Sequence, residues 1–313
     1  MKAAVVERPG DPGSLKEFPT PTPAQNELLV RVVAASVNPI DWKVRDRGTR
    51  PMPFVLGQDF AGVVSATGAA AHKYNEGERV FGIAREHGAF AEYTLVPEED
   101  RDQPVARIPD DVSDAVAAAL PTAGLTALAA LEALHVGAGS TLLIVGVTGG
   151  VGSIAAQMAR DRGAHVVGTA RAQNENLART LGVEDFVAYD RGDSLAAIKS
   201  TYPGGIDAVL DLVDDGDRIK RIADVIRDGG ALVSTIGAAD VPWFSERRVV
   251  AQNLIMNQTP QSSHEGLRTL AQMVEQGRLR VPIAAERHFS EVEAALAASK
   301  TGTVDGKIVL TLP

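Results

Sequence analysis

Leu142-Leu143-Ile144-Val145-Gly146-Val147-Thr148-Gly149-Gly150-Val151-Gly152 decides how the rest of this chain is read. An apolar strand runs into a cluster of glycines, and an alanine-rich helix follows. Backbone N–H groups at such a turn, with the positive end of the helix dipole behind them, form a cradle for a pyrophosphate. Side chains there would block the approach, so Thr148, Gly149, Gly150, Val151 and Gly152 are the predicted phosphate-binding residues. The spacing is a relative of G-x-G-x-x-G and not that motif itself; the strand before and the helix after supply the context the motif needs.

Working outward, strands and helices alternate. The pattern predicts strand Thr141–Val145, helix Val151–Arg162, strand His165–Ala170, helix Asn174–Leu181, strand Phe186–Ala188 and helix Leu195–Ser200. Strand Ala208–Val213, helix Ile219–Ile226, and strands Ala231–Ile236 and Asn253–Asn257 follow, then an amphipathic helix over Gly266–Gln276. Such alternation is the signature of an α/β, doubly wound parallel sheet. The longest uncharged stretch, Ala133 to Ala159, contains six glycines, which favours a buried strand–turn–helix over a membrane span.

The second strand selects the dinucleotide. NAD-binding sheets usually end this strand with Asp or Glu, to hold the ribose 2′-hydroxyl. Here it ends Thr169-Ala170-Arg171. A carboxylate would repel a 2′-phosphate, whereas a guanidinium matches it in two-pronged geometry. The expectation is therefore NADP(H), with Ala170 and Arg171 beside the phosphate. Ile236, Gly237 and Gln258 fall at the ends of later strands, where open α/β sheets bind ligands.

The first ~115 residues have a different texture. Short Val/Leu/Ala-rich runs (Lys2–Val6, Glu27–Ala35, Ala61–Thr67, Arg79–Gly82, Ala91–Val96) are punctuated by Gly and Pro, which predicts a barrel-like β domain. Ser113 reads as a helix cap, and Pro121 separates that helix from a second over Leu125–Leu134. Near the other end, Phe289 to Glu293 begins a helix and Gly306–Leu310 reads as a closing strand expected to rejoin the first domain. The expected division is 1–118 with 282–313, and 119–281.

Composition removes several function classes. The 313 residues contain no cysteine and six scattered histidines, which excludes disulfides, thiolate zinc sites, iron–sulfur clusters and a cysteine nucleophile. The net charge of −9 gives no general attraction to nucleic acid or anionic lipid, so neither is an expected partner. The apolar run at the N-terminus is short for a signal peptide, and the expectation is a cytoplasmic protein. His87 reads as a loop residue, and Glu98-Glu99-Asp100-Arg101-Asp102 as a solvated loop.

These features together resemble the medium-chain dehydrogenase/reductase superfamily, in its zinc-free quinone oxidoreductase branch. The resemblance runs through Met1-Lys2-Ala3, Ala35-Ser36-Val37-Asn38-Pro39-Ile40-Asp41, Leu56-Gly57-Gln58-Asp59-Phe60-Ala61-Gly62, and Gly88-Ala89-Phe90-Ala91-Glu92-Tyr93. It continues through Gly124-Leu125-Thr126-Ala127 and the glycine turn, and closes with Gly306-Lys307-Ile308-Val309-Leu310. It implies a GroES-like barrel domain joined to a Rossmann domain, with the cofactor between them. Zinc-using relatives carry Cys where this chain has Asn38 and His where it has Gln58. Without a Lewis acid, alcohol oxidation is harder, because nothing lowers the hydroxyl pKa. A quinone or an enone accepts hydride directly and delocalises the resulting anion.

The resemblance implies roles for particular residues. Asn38 faces the nicotinamide end of the site, Thr126 lies beside the nicotinamide, and Tyr189 lies by the adenosine phosphate. Lys43 reads either as a cation for a developing enolate or hydroquinone anion, or as an exposed lysine; Lys307 reads either as a cofactor contact or as structural. Solvent, Lys43 and a ribose hydroxyl all stay open as the source of the second proton. The expected activity is NADPH-dependent reduction of quinones or α,β-unsaturated carbonyls. The alternatives are a pathway-specific enone or enoyl reductase and a cofactor-binding protein of low turnover. Relatives pair as homodimers through the last Rossmann strand, and the apolar centre of Asn253–Asn257 suits such edge pairing.

Overall fold

The computed structural model describes all residues except Arg85 and His87, so the reading of His87 lies outside the described residues. The chain divides into two compact units. One comprises Met1–Leu125, Pro260–Gly277 and Val281–Pro313; the other comprises Thr126–Thr259 and Arg278–Arg280. The helix His264–Glu275, expected with the nucleotide-binding part, groups with the first unit. Its His264 Nδ1 lies 2.7 Å from the Val105 carbonyl oxygen, and Leu270 packs where a Cβ on Gly124 would stand.

The second unit is built on a six-stranded parallel sheet. In spatial order its strands are Asp185–Ala188, His165–Ala170, Thr141–Val145, Ile206–Asp211, Ile226–Ser234 and Val250–Asn253. Numbered along the chain this is 3-2-1-4-5-6, the Rossmann order. Leu142, Leu143, Ile144, Val209 and Leu210 are fully buried, which is why the central strands read as unbroken apolar runs. Each such side chain contributes roughly 1.5–3 kcal/mol through burial.

One strand differs from its expectation. Asn253–Asn257 is not a strand: pairing stops at Ser234↔Asn253, and Met256–Gln258 forms a 3₁₀ turn. The Asn253 carboxamide accepts from Ala239 N–H and donates to the Ala239 carbonyl, both at 2.9 Å, which turns the chain away from the sheet.

The first unit is antiparallel apart from one pair. Its long strand Glu27–Val37 pairs with Asp59–Thr67 along its length, with Tyr93–Pro97 at its start and with the closing strand Lys307–Thr311 at its end. Register shifts at Leu29/Val30 and Val32/Ala34 bend the strand between these partners. Arg79–Ile83 and Val105–Arg107 extend the sheet on one side, and Ile283–His288, parallel to the closing strand, ends it on the other. A smaller sheet joins Lys2–Val6 with Ser14–Glu17 and Phe54–Val55.

The core of this unit gathers Phe60, Phe90, Leu28, Leu56 and Leu310. Helix Pro39–Arg47, absent from the sequence reading, starts where Asp41 Oδ2 accepts from Asn38 N–H at 2.7 Å. The charge run holds a second difference. Glu98 is buried rather than solvated, because its carboxylate accepts from His72 and Lys73 N–H.

Candidate functional site

The glycine turn forms between strand Thr141–Val145 and helix Gly150–Asp161, with Gly149 at the N-cap. Gly146 sits at φ +86°, a left-handed conformation that L side chains rarely adopt. A Cβ on Gly152 would stand 2.4 Å from the Gly146 carbonyl oxygen, so only glycine lets this helix approach the turn. At Gly149 the nearest atom to such a Cβ is 3.5 Å away, so the face that presents the first helical N–H groups is uncluttered. Thr148 is buried, and Val151 is half-buried on the first turn. These residues fit a pyrophosphate: open backbone donors at a helix N-terminus, with nothing in the way.

Arg171 and Tyr189 lie one residue beyond the paired ends Ala170↔Ala188 of two parallel strands. Arg171 Nε donates to the Tyr189 hydroxyl at 3.2 Å, and Tyr189 is largely exposed. Ala170 is buried at the strand end, and Ala172 N–H donates to Asp190 Oδ1 at 2.8 Å. Ile236 and Gly237 follow the fifth strand, and Gln258 ends the 3₁₀ turn after the sixth. The carboxyl edge of the sheet thus gathers the glycine turn, Arg171, Tyr189, Ile236 and Gly237.

Asp211, which the sequence reading passed over, ends the fourth strand on the same edge. Burial pushes its carboxyl up to about 6, against hydrogen bonds from Val213 and Asp214 N–H. Thr126 belongs to this unit and is buried in helix Pro121–Ala133.

Asn38 and Lys307 meet in the other unit, inside a polar cluster sealed from solvent. Asn38 Nδ2 donates to Asp59 Oδ2 at 2.8 Å, and Lys307 Nζ donates to Asn38 Oδ1 and to the Val37 carbonyl. Ser36 Oγ and Thr122 Oγ1 also donate to Asp59, at 3.2 and 2.6 Å, and Thr122 N–H lies 3.2 Å from both its oxygens. Burial pushes the Lys307 ammonium down while Asp59 and Asp41 hold it up. Burial likewise pushes Asp59 up, opposed by Lys307, Thr122 and Asn38.

Asp41 is the third buried ionisable group of this cluster. Burial drives its carboxyl up to about 7, and its Oδ1 has no hydrogen-bond partner among the described residues. Lys43 is half-buried on the same helix, its ammonium 5.6 Å from the centre of the Trp42 ring; burial, then Arg47, lowers its pKa.

Ser36, Asp59 and Thr122 are site residues that sequence reasoning missed. Asp59 left one usable signal: a buried-strand pattern interrupted by an acid. The Asn38-x-x-Asp41 spacing likewise carries a helix-start signal related to the capping box.

Residues 24–110 match the alcohol dehydrogenase GroES-like domain, and residues 181–310 match the zinc-binding dehydrogenase family. The chain is 32% identical to the 2-methylene-furan-3-one reductase of Solanum lycopersicum, across 91% of this chain and 72% of that protein. It is 30% identical to the chloroplastic NADPH-dependent alkenal/one oxidoreductase of Arabidopsis thaliana, across 99% and 79%. The solved quinone oxidoreductase from Coxiella burnetii superposes with a TM-score of 0.90 at 33% identity, covering 100% of this chain and 99% of that one. Sequence, domain composition and fold agree, and the chain belongs to the medium-chain dehydrogenase/reductase superfamily, among its quinone oxidoreductases.

Proposed function

We propose that this chain is an NADPH-dependent reductase that delivers hydride to quinones or α,β-unsaturated carbonyl compounds without zinc. The observation that carries the reading is the carboxyl edge of the parallel sheet. It offers a backbone phosphate cradle at Gly149–Gly152 and, on the neighbouring strands, the Arg171–Tyr189 pair. Arg171 and Tyr189 hold the 2′-phosphate, the first helical N–H groups hold the pyrophosphate, and Thr148, Val151, Ala170, Ile236, Gly237 and Gln258 line the dinucleotide. When bound, the nicotinamide supplies the hydride.

The matched zinc-binding description raises a metal, and the residues present do not fit one. The chain has no cysteine, and zinc sites favour thiolate and imidazole in tetrahedral array. Where relatives place ligands this chain has the amides of Asn38 and Gln58. Asn38 Oδ1 already accepts from the Lys307 ammonium, so a second cation there would face like charge. A conjugated acceptor needs no metal, since it delocalises the incoming electron pair itself. Asn38, Thr126 and Lys43 are the residues proposed to orient the reactants and stabilise the reduced anion.

The test is NADPH oxidation followed against a panel of quinones, enones and secondary alcohols. Turnover of quinones or enones, unaffected by chelators, is expected. Tight NADPH binding with no turnover of any acceptor, or zinc-dependent alcohol oxidation, would overturn the reading.

The reading extends to a cytoplasmic homodimer. Strand Val250–Asn253 lies at one end of the sheet, and Val250 on it is 67% exposed, which suits pairing with a second copy. Absence of cysteine fits a reducing compartment. Light scattering at micromolar concentration should give twice the 32.9 kDa chain mass.

A further inference from the structure

Four hydrogen-bond donors converge on Asp59: Asn38 Nδ2, Ser36 Oγ, and the N–H and Oγ1 of Thr122. Such a set requires a carboxylate. A carboxamide in its place has one acceptor oxygen and would turn two N–H groups toward the donors. The donors come from different elements. Asn38 precedes helix Pro39–Arg47, and Thr122 is in the first turn of helix Pro121–Ala133. Thr126 lies one turn further along that helix, on the same face as Thr122. Thr122 N–H, in the first turn of this helix, donates to Asp59, and the positive end of the helix dipole adds to the hold of Asp59 on it.

The charges balance through the third partner. Lys307 is buried and donates to Asn38 Oδ1, so Asn38 bridges the cation and the Asp59 anion and its carboxamide has one orientation only. A buried carboxylate with no counter-ion is costly, and so is a buried ammonium with no anion. Asp41 adds no net charge while it holds its proton.

We propose that Asp59 and Lys307 form a charge-neutral clasp that positions Asn38 and the start of the Thr126 helix for hydride transfer. This rests on the reductase reading above. Asp59 is a positioning residue: it acts through Asn38 and Thr122. Lys307 is its counter-ion rather than a contact of the nucleotide.

The experiment compares the full-length wild type with Asp59→Asn, Lys307→Met and the double variant. It measures NADPH affinity by fluorescence, turnover with 1,4-benzoquinone and 2-cyclohexenone, melting temperature, and amide hydrogen exchange at Asn38 and Thr122. Asp59→Asn is expected to lower kcat at least about tenfold while the NADPH Kd stays within about twofold. It also lowers the melting temperature, because Lys307 is left buried and unpaired. The double variant removes both charges and recovers most of the melting temperature, yet kcat stays low and the Thr122 amide exchanges faster than in the wild type.

If kcat returns together with the melting temperature, or exchange at Thr122 is unchanged, the clasp is merely structural and the proposal falls. If the single variant does not fold, the double variant still decides. If the wild type binds NADPH but reduces neither acceptor, the proposed function fails, and the exchange data alone then judge the clasp.

Discussion

At the Gly146–Gly152 turn the working groups are main-chain N–H groups with almost no side chain over them. Around Asp59 most of the working groups are side chains, buried but for the half-buried Thr122 and each held by another. The first arrangement depends on what is missing: a Cβ at Gly152 has no room, and one at Gly149 would stand in the open approach. The second depends on what is matched: one cation, one carboxylate and a carboxamide between them. A site made of backbone is damaged by addition, and a site made of paired charges by subtraction.

That contrast breaks first at Gly152. In Gly152→Ala the new methyl group meets the Gly146 carbonyl, and the turn must shift. NADPH affinity should fall at least about a hundredfold, near 3 kcal/mol, in fluorescence titration. The melting temperature measured without nucleotide should fall far less.

A smaller effect is expected at Arg171. Arg171→Ala should weaken NADPH by about tenfold to a hundredfold, the range for losing a charge-assisted phosphate contact, and change NADH little. Equal loss for both nucleotides would remove Arg171 from the 2′-phosphate.

The buried cluster is sharpened through pH. Asp41 has its folded-state pKa raised to about 7, above the model-peptide value of 3.8. Its neutral form therefore contributes stability that is complete below pH ~4, declines as the unfolded state ionises, and is gone once pH passes ~7. Asp41→Asn keeps an acceptor for the Asn38 N–H and removes the titration. Relative to wild type the variant should gain stability between pH 4 and 8, by up to about 4 kcal/mol in denaturant titrations. A pH-independent difference would show that Asp41 is ionised in the fold.

The smallest effect belongs to His165, at the opposite edge of the parallel sheet from the glycine turn. Burial lowers its pKa, but bonds and charges from Asp185 and Glu184 outweigh that and raise it overall. A raised histidine contributes stability that is complete below its unfolded pKa and lost as pH rises through the folded one. The ring is more than a third exposed, so screening trims the gain. His165→Gln should lower the melting temperature by about 1–3 °C at pH 6 and by less at pH 9.

How far the sequence could be read follows from the same contrast. The glycine turn, its strand and its helix are adjacent in the chain, and short-range pattern is enough to find them. Arg171 and Tyr189 are legible for a related reason. Parallel strands in register pair Ala170 with Ala188, so an offset of 18 residues in sequence becomes adjacency in space. The Asp59 cluster has no such shortcut. Lys307 reaches Asn38 across 269 positions, and only the closing strand, pairing Ile308 with Val37, brings them together.

Helix Pro39–Arg47 escaped notice because it has no clear apolar face; Asp41 is the buried residue among its nine. The strand expected over Asn253–Asn257 failed because its apolar centre suggested pairing, while the Asn253 side chain bonds the Ala239 backbone instead.

The closing strand has one more consequence, for the order of synthesis. Lys307–Thr311 is stitched to Glu27–Val37, so a nascent chain exposes the first strands long before their last neighbour has been translated. Thr126–Thr259 is meanwhile an almost continuous segment, able to collapse on the ribosome as soon as it emerges. Until residue 307 leaves the exit tunnel, Asp59 waits without its cation. The late arrival of one ammonium group then marks the moment at which the older half of the polypeptide can become native.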